Sequence, residues 1–324
     1  MGKPFLIAEI AQGYEGNEKL VELYVRAASA AGADAIKFQV FYADELALPD
    51  YKYYQLFKSL ELPFEIWGKA VNESHQRGME FYSDIFGTDS LTKLEDIGVD
   101  GYKVHTTDIN NIRLLKLISG TRKKVFLSTG GCQLEEIKRA LDILERCNVT
   151  LMYGFQAEPT ELEDNNLKRI GSLKTLYNKP VGFQDHSAVD SELAFYIPFV
   201  ALGAGVEVIE KHLPLSRAAQ IEDYISALTP EEFGKWVLLI RKAYGSLGKE
   251  EWELTDKEFQ YRGKVRRAVC AVRDIVKGEL LSDDNLTLKR TDSKNVIYEL
   301  SEVAGRKASN NIKENSVIDK GDLL

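Results

Sequence analysis

Two histidines near the middle of the chain end strand-like runs and could act together. His186 closes the run VGFQDH and His212 closes the run VEVIEKH, with a helix-length apolar segment between them. Parallel crossovers of this kind are right-handed as a rule, so both imidazoles are expected at the same edge of one sheet. The alternative is two unrelated histidines, each bonded to a backbone carbonyl. The charged neighbours Asp185, Glu210 and Lys211 favour a shared metal or catalytic site, since a buried charge needs a partner.

Lysines also fall at the ends of apolar runs, where a buried ammonium group needs an anion. They are Lys37 in AIKFQ, Lys103 in GYKVH and Lys211 in VEVIEKH. One interpretation is an ion pair within the chain, for which Glu9 or Glu210 could supply the carboxylate. The other is a pocket for an anionic ligand such as a phosphate or a carboxylate.

Hydroxyl groups favour the anion pocket. Thr106, Ser128 and Thr129 follow the fourth and fifth strand-like runs, and the turn STGG adds backbone N–H groups that a phosphate could use. Two neutral imidazoles would leave most positions around a divalent metal open to water and substrate, which is the arrangement of a Lewis acid. The pattern therefore predicts a metal and an anionic substrate in one site.

The elements that must position these residues are eight strand-like runs, each followed by a helical stretch. The runs are apolar throughout rather than alternating, as expected for strands buried on both faces. Eight such units predict an α/β fold of the (β/α)8 TIM-barrel type over residues 1–246. A doubly wound open sheet is the structural alternative, but no GxGxxG motif follows the first run.

Three other stretches differ from this pattern. Residues 41–62 form a Tyr-rich insertion, interpreted as a surface excursion or a lid. Residues 247–262 are polar and charged and predict a linker. Residues 263–324 carry short β-like runs and turns and predict a small β-rich module, which is marginally stable alone by size.

Composition narrows the class of protein. The 324 residues carry a formal net charge of −8, which argues against a nucleic-acid-binding protein. No apolar run is long enough to span a bilayer, and no signal segment precedes the first strand. The chain has three cysteines, Cys132, Cys147 and Cys270, whose spacing matches neither a zinc motif nor a disulfide framework. We therefore expect a cytoplasmic protein without a membrane partner.

The motifs, taken in order, resemble those of the bacterial sialic acid synthases, the N-acetylneuraminate synthase family. They are AEI, GADAIKFQ, YKVHTTDINN, LSTGG, VGFQDHS, GAGVEVIEKHLPL and SALTPEEF. The tail RRAVCAVRDIVKGELLSDDNLTLKR is similar to the C-terminal antifreeze-like (SAF) domain of that family. The resemblance implies a TIM barrel that condenses phosphoenolpyruvate with an N-acylated amino-sugar aldehyde, releasing phosphate and forming a 2-keto-3-deoxy sugar acid for surface polysaccharide. It also implies a divalent metal, Mn²⁺ or Mg²⁺, and a homodimer in which the SAF domain of one subunit closes the active site of the other.

Roles for single residues follow from this resemblance. His186 and His212 match the metal-binding histidines, and Glu9, Lys37 and Lys103 are the expected catalytic residues. The expected substrate-binding residues are Gln39, Thr106, Asp108, Ser128, Gln156, Gln184, Lys211, Asp223 and Arg290. Arg290 matches the SAF arginine that reaches the sugar of the partner subunit.

The chain departs from the family pattern at residues that are expected to surround the phosphate and the sugar. The family's Asn-His is Gly13-Tyr14 here, its Ser-Thr-Pro-Phe turn is Ser83-Asp84-Ile85-Phe86, and its His-Cys-Thr run is Tyr153-Gly154-Phe155. Gln156 stands where the family has Asn, and Gln184 where it has Ser. A carboxylate beside a phosphate is unfavourable unless it is protonated or paired. We expect an acceptor other than N-acetylmannosamine. The alternatives are a metal-dependent aldolase with another keto-acid donor, and a non-catalytic sugar-binding homologue.

Overall fold

The first part of the chain forms a closed barrel of eight parallel strands, in which each strand pairs with its neighbours in sequence and β1 pairs with β8. This computed structural model describes residues 3–154, 157–189, 192–221, 223–249 and 251–324. The strands are β1 (Phe5–Ala11), β2 (Ala35–Gln39), β3 (Glu80–Ile85), β4 (Gly101–Val104), β5 (Lys124–Ser128), β6 (Asn148–Gly154), β7 (Val181–Asp185) and β8 (Val208–His212). The predicted TIM barrel is confirmed, and the open sheet is excluded because the strands close on themselves.

Side chains inside the barrel form two layers, because alternate residues of a strand face inward. The lower layer is apolar and consists of Ile7, Ala35, Tyr82, Phe126, Met152 and Val208. The upper layer lies two residues further along the same strands and consists of Glu9, Lys37, Asp84, Ser128, Gly154 and Glu210. The apolar layer fills the barrel and leaves the polar layer at the carboxyl ends of the strands, where barrel enzymes build their sites.

Helices surround the strands and cover their outer faces. They are α1 (Glu18–Ala30), α2 (Ala43–Leu46), α3 (Tyr54–Leu60), α4 (Phe64–Gln76), α5 (Thr88–Ile97), α6 (Ile112–Thr121), α7 (Leu134–Ile143), α8 (Arg169–Tyr177), α9 (Leu193–Gly203) and α10 (Pro230–Tyr244). The short helices α2 and α3 belong to the 41–62 insertion, where Asp44 accepts hydrogen bonds from Tyr54 and Lys58. Helix α10 begins with a capping box between Thr229 and Glu232, which satisfies two backbone N–H groups that the first turn leaves without partners.

The chain divides into two compact units, one ending at Gly248 and the other spanning Lys249–Leu324. The second unit holds α11 (Asp256–Val265) and an antiparallel pair, β9 (Ala268–Ala271) and β10 (Leu286–Lys289). It has its own apolar core, which includes Val269, Leu281 and Ile318.

The stretch expected to be a linker, 247–262, contains the first part of α11. The physical reason is local: Thr255 and Glu258 form a capping box, acidic residues occupy the first turn and basic residues the last turn. No helix in the described part of the chain combines the length and the apolarity needed to cross a bilayer.

Candidate active site

A polar cavity of about 190 Å³ opens at the carboxyl ends of the barrel strands. Most of the residues around it come from the upper layer or from the residues just beyond it. It is lined by Glu9, Gln12, Lys37, Gln39, Asp84, Lys103, His105, Glu158, Gln184, His186, Glu210, His212 and Asp223. Six of the residues predicted from the sequence for catalysis or substrate binding therefore meet the two predicted metal-binding residues, His186 and His212, around one space.

The two histidines face each other across the ends of β7 and β8, with their Nε2 atoms 3.1 Å apart. His186 Nδ1 lies 3.3 Å from the carbonyl oxygen of Gln184. A carbonyl can only accept a hydrogen bond, so Nδ1 of His186 carries the proton and its Nε2 holds a lone pair. His212 Nδ1 lies 3.4 Å from a carboxylate oxygen of Asp223, which favours the same tautomer.

Both histidines are neutral. Burial, the second imidazole and Lys103 hold the pKa of His186 well below its usual value. Burial lowers the pKa of His212 to about 3, and Lys37 and Lys211 act in the same direction while Glu210 opposes them. Two nitrogen lone pairs therefore point at one another, which is unfavourable unless a cation shares them. Two ligands at right angles, each about 2.1 Å from one metal ion, lie about 3 Å apart, so the pair has the separation that a metal requires.

In the described part of the chain, no group of three or more His, Cys, Asp or Glu side chains is arranged to hold a metal ion. Only two protein ligands are thus in place for a metal at this position. Such an ion would keep most of its coordination sphere for water and substrate.

Lys37 is surrounded by three carboxylates at the floor of the cavity. Its ammonium group forms an ion pair with Asp84, lies 2.5 Å from Oε2 of Glu9 and lies 4.0 Å from Oε2 of Glu210. The contact with Glu9 is close in distance but lacks the geometry of a hydrogen bond, so Glu9 Oε2 is left without one. Burial alone would lower the pKa of Lys37, but Asp84, Glu210 and Glu9 raise it by more, so the net direction is upward and Lys37 stays charged.

Lys103 also belongs to the floor, where it forms an ion pair with Glu210. The floor therefore contains three carboxylates but only two ammonium groups. One proton balances the excess negative charge. Burial and the repulsion of Glu210 and Asp84, opposed by Lys37, raise the pKa of Glu9 to about 8. Burial also acts to raise the pKa of Glu210, but its contacts with Lys103 and Lys37 outweigh this and lower it to about 2. The proton therefore resides on Glu9 at neutral pH.

A chain of hydrogen bonds starts at Gln184, which lines the cavity, and continues to Ser128 and Thr106, which do not line it. Thr106 Oγ1 and Ser128 Oγ are 3.0 Å apart, and Gln184 Nε2 donates to Ser128 Oγ at 3.0 Å and to the carbonyl oxygen of Gly154 at 3.2 Å. Because that carbonyl can only accept, the orientation of the Gln184 amide is fixed, and its Oε1 is left buried without a hydrogen bond. Asp84 Oδ1 is also buried without a hydrogen bond. Buried acceptors of this kind indicate that a ligand or water supplies the missing donors.

A further acidic pair was missed by the sequence reasoning. Glu158 lines the cavity beside Asp223 and accepts a hydrogen bond from Ser226 Oγ at 3.3 Å. Burial, together with a hydrogen bond to Asp223 and repulsion from it, raises the pKa of Glu158 to about 8. Glu158 therefore holds a proton at neutral pH. The sequence signal for this residue is a carboxylate just before a proline, two residues beyond Gln156.

Gln39 lines the cavity, and its Oε1 accepts a hydrogen bond from Gln12 Nε2 at 2.9 Å. The remaining predicted residues lie elsewhere. Asp108 does not line the cavity, since its carboxylate accepts from Thr107 and Asn111. Gln156 lies outside the described residues, and Arg290 is an exposed residue of the second unit.

Lys211 was predicted to bind substrate, but the structure places it outside the barrel lumen. Its ammonium group donates to Asp185 Oδ2 at 2.7 Å, and both side chains are fully buried. The reason is the period of the strand: Glu210 and His212 face inward, so the residue between them faces outward. The predicted anion pocket therefore contains two lysines rather than three, and both are paired with carboxylates.

Comparison with known proteins relates this geometry to a family. The sequence pattern of the NeuB family matches residues 24–252, and that of the SAF domain matches residues 266–324. A pseudaminic acid synthase of Campylobacter jejuni is 31% identical over 338 residues, with 99% of this chain and 97% of that protein covered. An N,N'-diacetyllegionaminic acid synthase of Legionella pneumophila is 30% identical over 335 residues, with coverage of 97% and 93%.

The fold agrees with these similarities. The crystal structure of an N-acetylneuraminic acid synthetase from Leptospira borgpetersenii superposes with a TM-score of 0.76 at 29% identity, covering 82% of this chain and 93% of that one. The resemblance drawn from the sequence motifs is confirmed for both the barrel and the SAF domain.

Proposed function

Because this chain belongs to the NeuB family, we propose that it condenses phosphoenolpyruvate with an amino-sugar or related aldehyde to give a sialic-acid-like 2-keto-3-deoxy sugar acid. It is an enzyme of the condensing transferase type, as its relatives' names as synthases indicate. The observation that carries the proposal is the histidine pair, whose Nε2 atoms lie 3.1 Å apart in the same cavity as Lys103 and Gln184. In the reaction, C3 of phosphoenolpyruvate bonds to the aldehyde carbon, water adds at C2 and phosphate leaves.

His186 and His212 would hold a divalent ion, Mn²⁺ or Mg²⁺. Such an ion supplies Lewis acidity, which polarises the carbonyl group of the aldehyde. The two imidazoles fit this role because both are neutral and both present Nε2 lone pairs to one point. Asp223 and the carbonyl oxygen of Gln184 orient the rings from behind.

The donor would lie against the side of the cavity that Lys103 and Gln184 line, with Ser128 and Thr106 behind Gln184. Lys103 supplies a positive charge there, and Thr106, Ser128 and the Gln184 amide supply hydrogen-bonding groups. These neutral groups can bind phosphate or carboxylate oxygens without adding negative charge. Glu9, protonated at neutral pH, can donate its proton to the aldehyde oxygen as that oxygen becomes an alkoxide.

Phosphate release tests this function directly. Purified protein with Mn²⁺ and phosphoenolpyruvate is offered a panel of aldehydes that includes N-acetylated hexosamines, diacetamido sugars and pentoses. We expect phosphate release with at least one aldehyde, and its loss in His186→Ala and His212→Ala but not in His75→Gln, which changes an exposed histidine on α4. Absence of phosphate release across the whole panel, from protein shown to be folded, would contradict the proposal.

A related aldolase is the second candidate, and a specific contact favours it. Asp84 pairs with Lys37 and Glu210 pairs with Lys103, so both cations that could meet a phosphorylated donor already have a carboxylate partner within the chain. An enzyme that uses pyruvate has no phosphate to bind. Turnover with pyruvate but not with phosphoenolpyruvate would establish this alternative.

We also propose the subunit arrangement that the resemblance implies, a homodimer in which Arg290 of the SAF domain serves the site of the partner. Arg290 follows β10 and is exposed within its own unit. Mixing the inactive variants His186→Ala and Arg290→Ala under conditions of subunit exchange should restore up to about a quarter of the wild-type activity, since one of the two sites in a mixed dimer is intact. If the mixture stays inactive while the subunits exchange, Arg290 does not act in the site of the partner.

A further inference from the structure

A buried ion pair lies directly behind the two histidines. Asp185 and Lys211 are partners in the register of β7 and β8, and each precedes one of the histidines in sequence. Both side chains have no exposed surface. Because they face outward between the barrel and its helices, neither touches the cavity.

The contacts of this pair surround His186. Lys211 Nζ donates to Asp185 Oδ2 at 2.7 Å and approaches the carbonyl oxygen of Ser187 at 3.4 Å. Asp185 Oδ1 accepts from the backbone N–H of Ser187 at 2.9 Å and from its hydroxyl at 2.6 Å. The residues before and after His186 are thus both tied to the residue before His212. These contacts join the end of β7 to the end of β8 and so set the spacing between them.

Stability alone does not account for such a pair. Charges removed from water lose hydration that their mutual attraction only partly restores, and apolar residues of similar size often stabilise a protein equally well. Hydrogen bonds between charged groups fix the relative orientation of the two partners, which apolar contacts do not. A metal site needs its ligands within about half an ångström of the correct position, and that precision depends on the groups behind the ligands.

We propose that Asp185 and Lys211 are positioning residues that hold His186 and His212 at the separation a divalent metal requires. This inference rests on the proposed metal-binding function of the histidine pair. It also assigns a role to Lys211 other than contact with substrate.

The test compares Mn²⁺ binding with folding in the full-length protein. The double variant Asp185→Leu/Lys211→Met replaces the ion pair by apolar side chains, and Ser187→Ala removes one hydrogen bond to Asp185 while leaving the charges paired. Dissociation constants for Mn²⁺ come from calorimetry, the environment of the bound ion from its electron paramagnetic resonance spectrum, and folding from thermal melts. Arg241→Met is the matched control, because it breaks a partly buried ion pair with Asp34 just before β2, at the opposite end of the barrel.

We expect the double variant to melt at or above the wild-type temperature while binding Mn²⁺ at least tenfold more weakly, with an altered resonance spectrum. Ser187→Ala should weaken binding about threefold, and Arg241→Met should leave Mn²⁺ binding unchanged. A folded double variant with Mn²⁺ affinity within twofold of wild type would overturn the inference. If the double variant does not fold, wild-type affinity in Ser187→Ala overturns it instead. Failure of the wild-type protein to bind Mn²⁺, or binding that survives His186→Ala/His212→Ala, would instead refute the metal site itself.

Discussion

Asp84 forms a buried ion pair with Lys37 on the floor of the cavity, and its second oxygen has no hydrogen bond. A carboxylate at this point is compatible with an anionic substrate only because a lysine compensates it. The compensation has a consequence for function, since the charge of Lys37 is already balanced by Asp84. We therefore expect Asp84 to set part of the affinity for an anionic donor.

Replacing Asp84 by Asn should strengthen the binding of phosphoenolpyruvate. The amide keeps the size of the carboxylate but removes a negative charge next to Lys37, which then attracts the donor more strongly. We expect a dissociation constant about tenfold lower, or about 1.4 kcal/mol, in calorimetric titrations with Mn²⁺ present.

The control is Asp142→Asn, which removes an exposed charge on α7 that pairs with Lys138. It should leave the affinity unchanged. Unchanged or weaker binding in folded Asp84→Asn would mean that Lys37 does not contribute to binding the donor.

The sequence predicted the barrel well because each of its eight units is a local pattern. Several of the residues at strand ends, among them Lys37, His186 and His212, also lie around one cavity, since parallel strands place their carboxyl ends at one edge. Lys211 could have been placed correctly from the same information. It lies between Glu210 and His212 on β8, and alternate residues of a strand face opposite sides.

Other features could not be read from the sequence. Glu158 follows β6 in irregular backbone, where no period fixes the direction of a side chain. Asp84 of β3 is paired with Lys37 of β2, and the sequence alone does not reveal this contact between two strands. The orientation of the Gln184 amide depends on a carbonyl group of β6. Contacts between elements decide these cases, and local patterns carry no information about them.

The proton on Glu9 should make stability depend on pH. The pKa of Glu9 is about 8 in the folded protein against 4.5 for an ordinary glutamate. The folded state therefore keeps a proton that the unfolded state loses. Its stabilising effect is complete below about pH 4.5 and is lost as the pH rises through about 8. Relative to Glu9→Gln, which is neutral at every pH, the wild type should lose more than ~1 kcal/mol of unfolding free energy between about pH 5 and pH 8.5.

Urea unfolding at a series of pH values measures this difference. Glu231→Gln, which changes an exposed glutamate of α10, is the control and should follow the wild type at each pH. A constant difference between wild type and Glu9→Gln across this range would show that Glu9 is ionised in the folded protein.

The proton on Glu158 should affect the pH dependence of catalysis. Glu158 and Asp223 form an acidic pair next to His212, and burial with the nearby Asp223 raises the pKa of Glu158 to about 8. Loss of this proton would place two carboxylates against each other, and Glu9 loses its proton in the same range. Above about pH 8, log kcat/KM for phosphate release should fall with a slope approaching −2 in the wild type.

In Glu158→Gln the slope should be close to −1, because the amide cannot lose a proton in this range and only Glu9 still titrates. The amide also retains a donor for Asp223, so activity at pH 7 should remain within about tenfold of wild type. Identical slopes in the two proteins would exclude Glu158 from the catalytic ionisations.

Gly154 links the backbone of β6 to the histidine pair. It pairs with Gln184 of β7, has φ of +121°, and a Cβ atom built on it would lie 2.2 Å from the carbonyl oxygen of Gln184. That carbonyl is the one that faces His186 Nδ1. Gly154→Ala should therefore destabilise the protein by about 2–4 kcal/mol and also weaken Mn²⁺ binding, because both the backbone strain and the displaced carbonyl act on the same strand pair.

The matched control is Gly171→Ala in α8, where an added Cβ atom meets nothing within 4 Å. Alanine is the better helix former, so this variant should be neutral or more stable by up to about 1 kcal/mol and should bind Mn²⁺ normally. Urea unfolding and calorimetry on the two variants separate the effects. A loss of stability in Gly154→Ala with unchanged Mn²⁺ affinity would show that the Gln184 carbonyl does not orient His186, and would leave Asp185 and Lys211 as the groups that set its position.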